Sequence, residues 1–225
     1  MAGVFVTGTG TDVGKTFVTA ALVRHLRTAG KTVDALKPVV SGFDPANAAG
    51  SDPGVLLAAS GRDPTTDEIA RIAPWRFAAP LSPDLAAKAE GRTFDFKALV
   101  EFSRDAVYGR GTTFIEGVGG IMVPLDETHT VLDWMSALRI PVLVVAGSYL
   151  GTISHTLTAL HVLAQRNLDI AGVAVSESAV PGATLEDTVA TLARFAAPID
   201  VVGVPRMPPG ELPPRAVLGR IERFV

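Results

Sequence analysis

Val4-Phe5-Val6-Thr7-Gly8-Thr9-Gly10-Thr11-Asp12-Val13-Gly14-Lys15-Thr16 runs from an apolar strand pattern through a glycine-rich turn into a helical pattern. That context is what gives a phosphate-loop match its meaning. In such a loop, several backbone N–H groups converge on one anion, and the helix that opens near Lys15 adds the positive end of its dipole. Gly8, Thr9, Gly10, Thr11, Asp12, Val13, Gly14, Lys15 and Thr16 are therefore the expected nucleotide-phosphate site. Lys15 reaches the terminal phosphates, and the Thr16 hydroxyl suits Mg²⁺. Five residues, rather than the usual four, separate Gly8 from the Gly14-Lys15 pair. A plain glycine turn is the alternative, but such a turn has no need of the lysine.

Outward from the loop, apolar runs and helical patterns alternate. Val18, Leu22 and Leu26 line one face of the first helix, and Gly30 ends it. Strands are expected at Val33–Leu36, Thr112–Ile115, 141–146, Ile170–Val175 and Val201–Val204. Lys37-Pro38-Val39-Val40-Ser41-Gly42 reads as a loop at a strand's carboxyl end, the ligand edge of a parallel sheet. Residues 43–94 are the least regular, with short helices expected at Val55–Ser60 and Pro83–Glu90. Asp95 reads as the cap of a helix with Phe96, Leu99, Val100 and Ser103 on its core face. Helices follow at Thr130–Leu138, Gly151–Arg166 and Leu185–Ala196, and a short one closes the chain. The pattern predicts an α/β fold, a three-layer α/β/α sandwich of the P-loop nucleotidase type with a mostly parallel sheet, as one domain over 1–225.

The 225 residues are 48% hydrophobic with a formal net charge of −3 and no basic run, which argues against nucleic acid or an anionic membrane as partner. No cysteine is present, so disulfides, thiolate metal sites and cysteine nucleophiles are excluded. The start of the chain lacks a leader pattern, and the apolar stretch Ile140–Ala146 is too short to span a bilayer. A cytoplasmic location is expected.

A Mg-nucleotide site needs carboxylates facing the phosphate loop. Glu116 ends an apolar strand and precedes glycines, where the second metal-binding element of a nucleotide hydrolase sits. The alternative is a loop carboxylate that binds backbone. Asp52, before Pro53, reads equally as a helix cap or a ligand. Lys37 would place a second positive charge at the ligand edge. Such a charge is worth about 4 kcal/mol to a negative charge ~4 Å away at effective dielectric ~20. The alternative for Lys37 is a snorkelling surface lysine. His25, His129 and His161 read as surface or packing residues, whereas His155 is placed to face a ligand. No two of the four are spaced for a metal, and no Ser-His-Asp set is evident. Arg92, Arg104 and Arg110 read as solvated.

Five pieces in order resemble the dethiobiotin synthetase family: Val6–Thr16, Lys37–Gly42, Phe77–Pro83 with Glu90-Gly91, Glu116-Gly-Val-Gly-Gly120, and Leu150-Gly-Thr-Ile-Ser-His155. The extra loop residue is that family's own spacing. The resemblance implies an ATP-dependent cyclo-ligase that makes a cyclic urea from 7,8-diaminononanoate and CO₂. By resemblance, Lys37 holds the carbamate and the transferred phosphoryl, and Thr11 and Lys15 hold the γ-phosphate. Thr16, Asp52 and Glu116 bind Mg²⁺. Ser41, Val118 and Gly119 meet the substrate, and Gly151 and Thr152 receive its carboxylate from the second copy of a homodimer. The base pocket falls to Ser176 and to Pro205, Arg206 and Met207. Ser176-Glu177 stands where relatives often carry Asn-Asp, and Gly151-Thr-Ile-Ser154-His155 departs from a glycine-x-Asn-His piece.

Other nucleotide-using classes fit less well. A partner-regulated switch ATPase, of the kind that sorts DNA or positions septa, carries a lysine where Gly10 stands here. The synthetase half of a cobalamin-pathway amidotransferase would need a glutaminase. An alcohol kinase would want a carboxylate base where Lys37 and Ser41 stand.

Overall fold

The computed structural model describes residues 2–109, 111–208 and 210–225; Arg110, read above as solvated, lies outside them. In chain order the elements are β1 (Ala2–Gly8), α1 (Lys15–Thr28), β2 (Val33–Leu36), β3 (Val39–Ser41), α2 (Asp52–Ala59), α3 (Thr66–Ile72), β4 (Trp75–Phe77), α4 (Pro83–Ala89) and α5 (Phe96–Val107). They continue with β5 (Thr112–Glu116), α6 (Val131–Leu138), β6 (Val142–Ala146), α7 (Thr152–Gln165), β7 (Ile170–Ser176), α8 (Leu185–Ala196), β8 (Val201–Val204) and α9 (Arg215–Ile221).

Six strands form one sheet in the order β2-β5-β1-β6-β7-β8, every pair parallel. The fully buried Val-Leu-Val-Val-Ala run of β6 is what helices on both faces of a parallel sheet require. β1 lies in the middle, so the loop after it opens at the centre of the sheet's carboxyl edge. Register then fixes two further groups. Val6 pairs with Glu116 and Leu36 with Ile115, which brings Glu116 and the residue after β2, Lys37, to that same edge. On one face of the sheet, Phe5 meets Trp134 edge-on at 4.8 Å, and the buried indole N–H reaches Ser103 Oγ at 3.1 Å.

The segment after Lys37 is not the loop expected from sequence. Val39–Ser41 is a strand that pairs in parallel with β4, Ser41 opposite Phe77, in a separate two-stranded sheet. Pro38 breaks the chain between β2 and β3, and its carbonyl still accepts from Trp75 N–H. Both expected short helices are present, as α2 and α4, together with the unanticipated α3. Ser51, not Asp52, caps α2, with its hydroxyl accepting from Gly54 N–H at 3.3 Å. Asp95 caps α5 as expected, but Phe96 is only half-buried, because its ring stacks on His129 at 4.0 Å instead of entering the core.

Candidate nucleotide and metal site

Gly14 caps α1 at φ 93°, a backbone angle that needs glycine. A Cβ there would also stand 2.5 Å from Ser176 Oγ, so the loop lies directly on the end of β7. Lys15 curls back over the loop and donates to the Gly10 carbonyl at 2.7 Å. Burial lowers its pKa to about 8, helped by the neighbouring Lys37 charge and opposed by Glu116, Asp52 and Asp12.

Beneath the loop, the ends of α1, β2, α2 and β5 bring four polar side chains together. Glu116 is fully buried. Its Oε1 accepts from Thr16 Oγ1 at 2.6 Å and from Lys37 Nζ at 2.6 Å. Lys37 also donates to the Gly117 carbonyl at 2.9 Å and pairs with Asp52 Oδ2 at 3.0 Å. Burial alone would lower the Lys37 pKa, but the Glu116 and Asp52 carboxylates outweigh it and raise it. Burial likewise penalises the Asp52 carboxylate; the Lys37 ammonium overrides this and lowers its pKa. Glu116 Oε2 is buried without a partner among the described residues. An orphaned carboxylate oxygen costs free energy unless a ligand takes it up.

A cleft of about 890 Å³ brings Thr11, Lys15 and Thr16 together with Lys37, Ser41 and Asp52. Val118 and Gly119 line it too, and Ser41 Oγ is buried there without a partner. A second, narrower recess of about 350 Å³ adjoins the loop at Asp12, Val13 and Gly14 and is closed by Ser176, Glu177, Arg206 and Met207. Glu177 fastens that wall, with Oε2 accepting from Arg206 N–H at 3.0 Å. Pro205 precedes the wall in the chain and does not line the recess.

Gly151 and Thr152 stand apart from both cavities at the start of α7, where Gly151 is the N-cap at φ 99°. Thr152 Oγ1 is consumed by the Gly147 carbonyl at 2.7 Å. His155 does not face the cleft. It is exposed and shares a hydrogen bond with Tyr149 OH at 2.8 Å. His25 is held by Glu222 and His129 by Asp126. Sequence reasoning missed Ser178, which lines the second recess. Ser178 also exchanges two bonds with Ser148: each hydroxyl accepts from the other's backbone N–H, at 3.0 and 2.9 Å. The polar run Ser176-Glu177-Ser178 after an apolar strand was its only signal.

Thr16, Asp52 and Glu116 offer oxygen alone, the hard donor set that suits Mg²⁺. Among the described residues, no group of three or more His, Cys, Asp or Glu could hold a metal by itself. Two carboxylates and a hydroxyl leave positions for phosphate oxygens, so the set fits a metal that arrives with a nucleotide. Nor is any helix among the described residues long and apolar enough to cross a membrane.

Residues 2–222 match a family model described as an AAA domain. The chain is 51% identical over 205 residues to ATP-dependent dethiobiotin synthetase BioD of Methylobacterium nodulans, covering 87% of this chain and 90% of that one. It is 47% identical over 208 residues to the protein of the same name from Caulobacter vibrioides, covering 92% and 93%. With the Acidiphilium cryptum protein of that name it shares 51% identity over 178 residues, covering 78% and 80%. Among solved structures, it is similar to the MinC:MinD cell division protein complex of Aquifex aeolicus, with TM-score 0.52 and 13% identity over 92% of this chain and 82% of that one. A chloroplast FtsY from Physcomitrella patens gives TM-score 0.51 and 16% identity over 99% and 64%. At such identities the likeness shows the fold alone.

Proposed function

The chain belongs to the dethiobiotin synthetases, ATP-dependent ligases of biotin biosynthesis, and on that premise we propose that it closes a ureido ring on 7,8-diaminononanoate with CO₂. One amine attacks CO₂ and loses a proton to give a carbamate. A carbamate oxygen attacks the γ-phosphorus of ATP, and ADP leaves. The second amine attacks the carbonyl carbon of the resulting carbamic-phosphoric anhydride. Phosphate leaves with the bonding electrons and takes up the amine proton.

The carbamate and ATP are both anions, so their repulsion is the barrier the site must cancel. Lys15 and Thr11 hold the γ-phosphate at the loop. Lys37 bridges carbamate and phosphoryl, and the unpartnered Ser41 hydroxyl takes the amine or carbamate. Thr16, Asp52 and Glu116 would hold Mg²⁺, which supplies charge neutralisation to the phosphates when bound. No strong base is needed, because the second amine sits on the carbon next to the first and positioning supplies most of the rate. The base occupies the recess between Gly14, Ser176 and Arg206–Met207. Two copies of the chain complete the site, Gly151 and Thr152 of the second receiving the substrate carboxylate. In support, Leu150 beside them is 87% exposed, an apolar side chain offered to a partner.

The observation that carries the reading is the meeting of Lys37, Asp52, Glu116 and Thr16 within hydrogen-bond distance under a phosphate loop. The test is fixation of labelled bicarbonate into an acid-stable product. Label that requires both ATP and the diamine is expected. Phosphate release indifferent to the diamine, with no stable label, would overturn it in favour of a switch ATPase.

A further inference from the structure

The cluster sets one ammonium, Lys37, between two carboxylates, with the Lys15 ammonium on the loop above. Lys37 is the member with most to lose by moving. It is 3% exposed and its three partners, Glu116 Oε1, Gly117 O and Asp52 Oδ2, lie at 2.6, 2.9 and 3.0 Å. Two of those partners are the carboxylates assigned above to the metal. Thr16 Oγ1, the third ligand in that assignment, is engaged with the same Glu116 oxygen at 2.6 Å. Glu116 Oε2 and Asp52 Oδ1 have no partner among the described residues. A dication on the remaining oxygens of the same two carboxylates would stand only ~4 Å from the ammonium that holds the others, and like charges at that distance repel.

We propose that the Lys37 ammonium and the divalent cation hold Asp52 and Glu116 in alternation. Metal that arrives with nucleotide takes the carboxylates and releases Lys37 into the cleft. The catalytic lysine is thus delivered by metal loading, and metal without phosphate is kept out. The geometry allows this exchange. Lys37 follows directly on β2, and the cleft that Lys37 lines also holds Lys15, Thr16 and Ser41. Phosphate oxygens supply the negative charge that makes a second pair of positive charges tolerable, so exclusion is lifted only when nucleotide and metal come together. The inference rests on the metal assignment of the preceding subsection and extends it to what Lys37 does before chemistry.

The test uses Mn²⁺ and its paramagnetic resonance signal, which reads bound metal without turnover. Nucleotide-free protein is expected to bind Mn²⁺ weakly. Lys37→Met should bind it roughly tenfold or more tightly, the least expected when a unit positive charge leaves contact range. Adding Asp52→Asn to Lys37→Met should abolish the gain, which a merely loosened fold would not explain. Unchanged or weaker Mn²⁺ binding by a Lys37→Met protein with native circular dichroism would overturn the alternation. A separate arm tests the premise: Glu116→Gln should lose Mn²⁺ in the presence of ADP. Full retention would overturn the metal assignment and the alternation with it. Independent of any variant, a crystal structure of the unmodified protein with Mg²⁺ and ADP should show Lys37 Nζ beyond hydrogen-bond distance of Asp52. Lys37 still bound to both carboxylates beside a bound metal would overturn the alternation.

Discussion

Glu116 shows how one buried side chain can organise several others. One oxygen serves Thr16 and Lys37 together, and the other has no partner among the described residues. Lys37 is held so firmly by this carboxylate and Asp52 that it stays charged despite burial. A charge of that kind is pre-organised for a developing anion. Lys37→Gln is accordingly expected to retain nucleotide binding and to lose about 10²-fold or more in kcat. Single-turnover phosphate release separates the two effects, and normal turnover would remove Lys37 from the mechanism. Sequence alone left Lys37 and Asp52 ambiguous for a physical reason. Lys37 meets a carboxylate 79 residues away, and only the β2–β5 and β1–β5 registers bring them together. The phosphate loop was legible because its chemistry is local. Ser178 was missed because its role lies in a bond to another loop, at Ser148.

At the scale of elements, capping is local and therefore readable, whereas short strands are not. Asp95 caps α5 as its position before an amphipathic run suggested. The three-residue strands β3 and β4 escaped notice because neither run is long enough to show a period, and the two pair across more than thirty residues. α3 had a signal that was not used: Thr65 and Glu68 are spaced as a capping box, and Thr65 Oγ1 accepts from Glu68 N–H at 3.3 Å. The start of α6 makes the energetic point. The Asp133 carboxylate accepts from Thr130 N–H at 2.9 Å and from its hydroxyl at 2.8 Å. Partial burial would raise its pKa, but these bonds and Arg166 lower it. A depressed carboxyl contributes stability that is present above its unfolded value of about 4 and is lost as pH falls through the lower native value. Asp133→Ala should therefore cost about 1 kcal/mol in urea denaturation at pH 7. The gap should close as both proteins are taken below pH ~4; a pH-independent gap would refute the electrostatic account.

For the whole molecule, the order β2-β5-β1-β6-β7-β8 gathers the carboxyl ends of six parallel strands on one edge, and the proposed chemistry occupies that edge. The alternation of strands and helices in the sequence was enough to give this layer architecture. Strand order was not in the pattern, because it depends on which distant runs pair. The site proposed here needs a second chain, so sedimentation is expected to find a dimer at assay concentrations, and activity should fall on dilution through its dissociation. A monomer with full activity would show that one chain is sufficient.

The two tryptophans stand at opposite extremes of this architecture. Trp134 has no exposed surface and is pinned against Phe5 of the central strand. Trp75 is half-buried in the small sheet, beside the strand that carries Ser41, and its ring meets Phe94 and Phe102. The protein thereby carries a two-channel optical gauge. One indole emits from a shielded apolar cage that ligands do not reach and serves as the internal standard. The other lies in β4, paired with the strand that carries Ser41 to the cleft, so a shift of that strand on ligand binding would change its surroundings. Occupancy is then readable in intrinsic fluorescence, as a change in quencher access confined to the redder of two components.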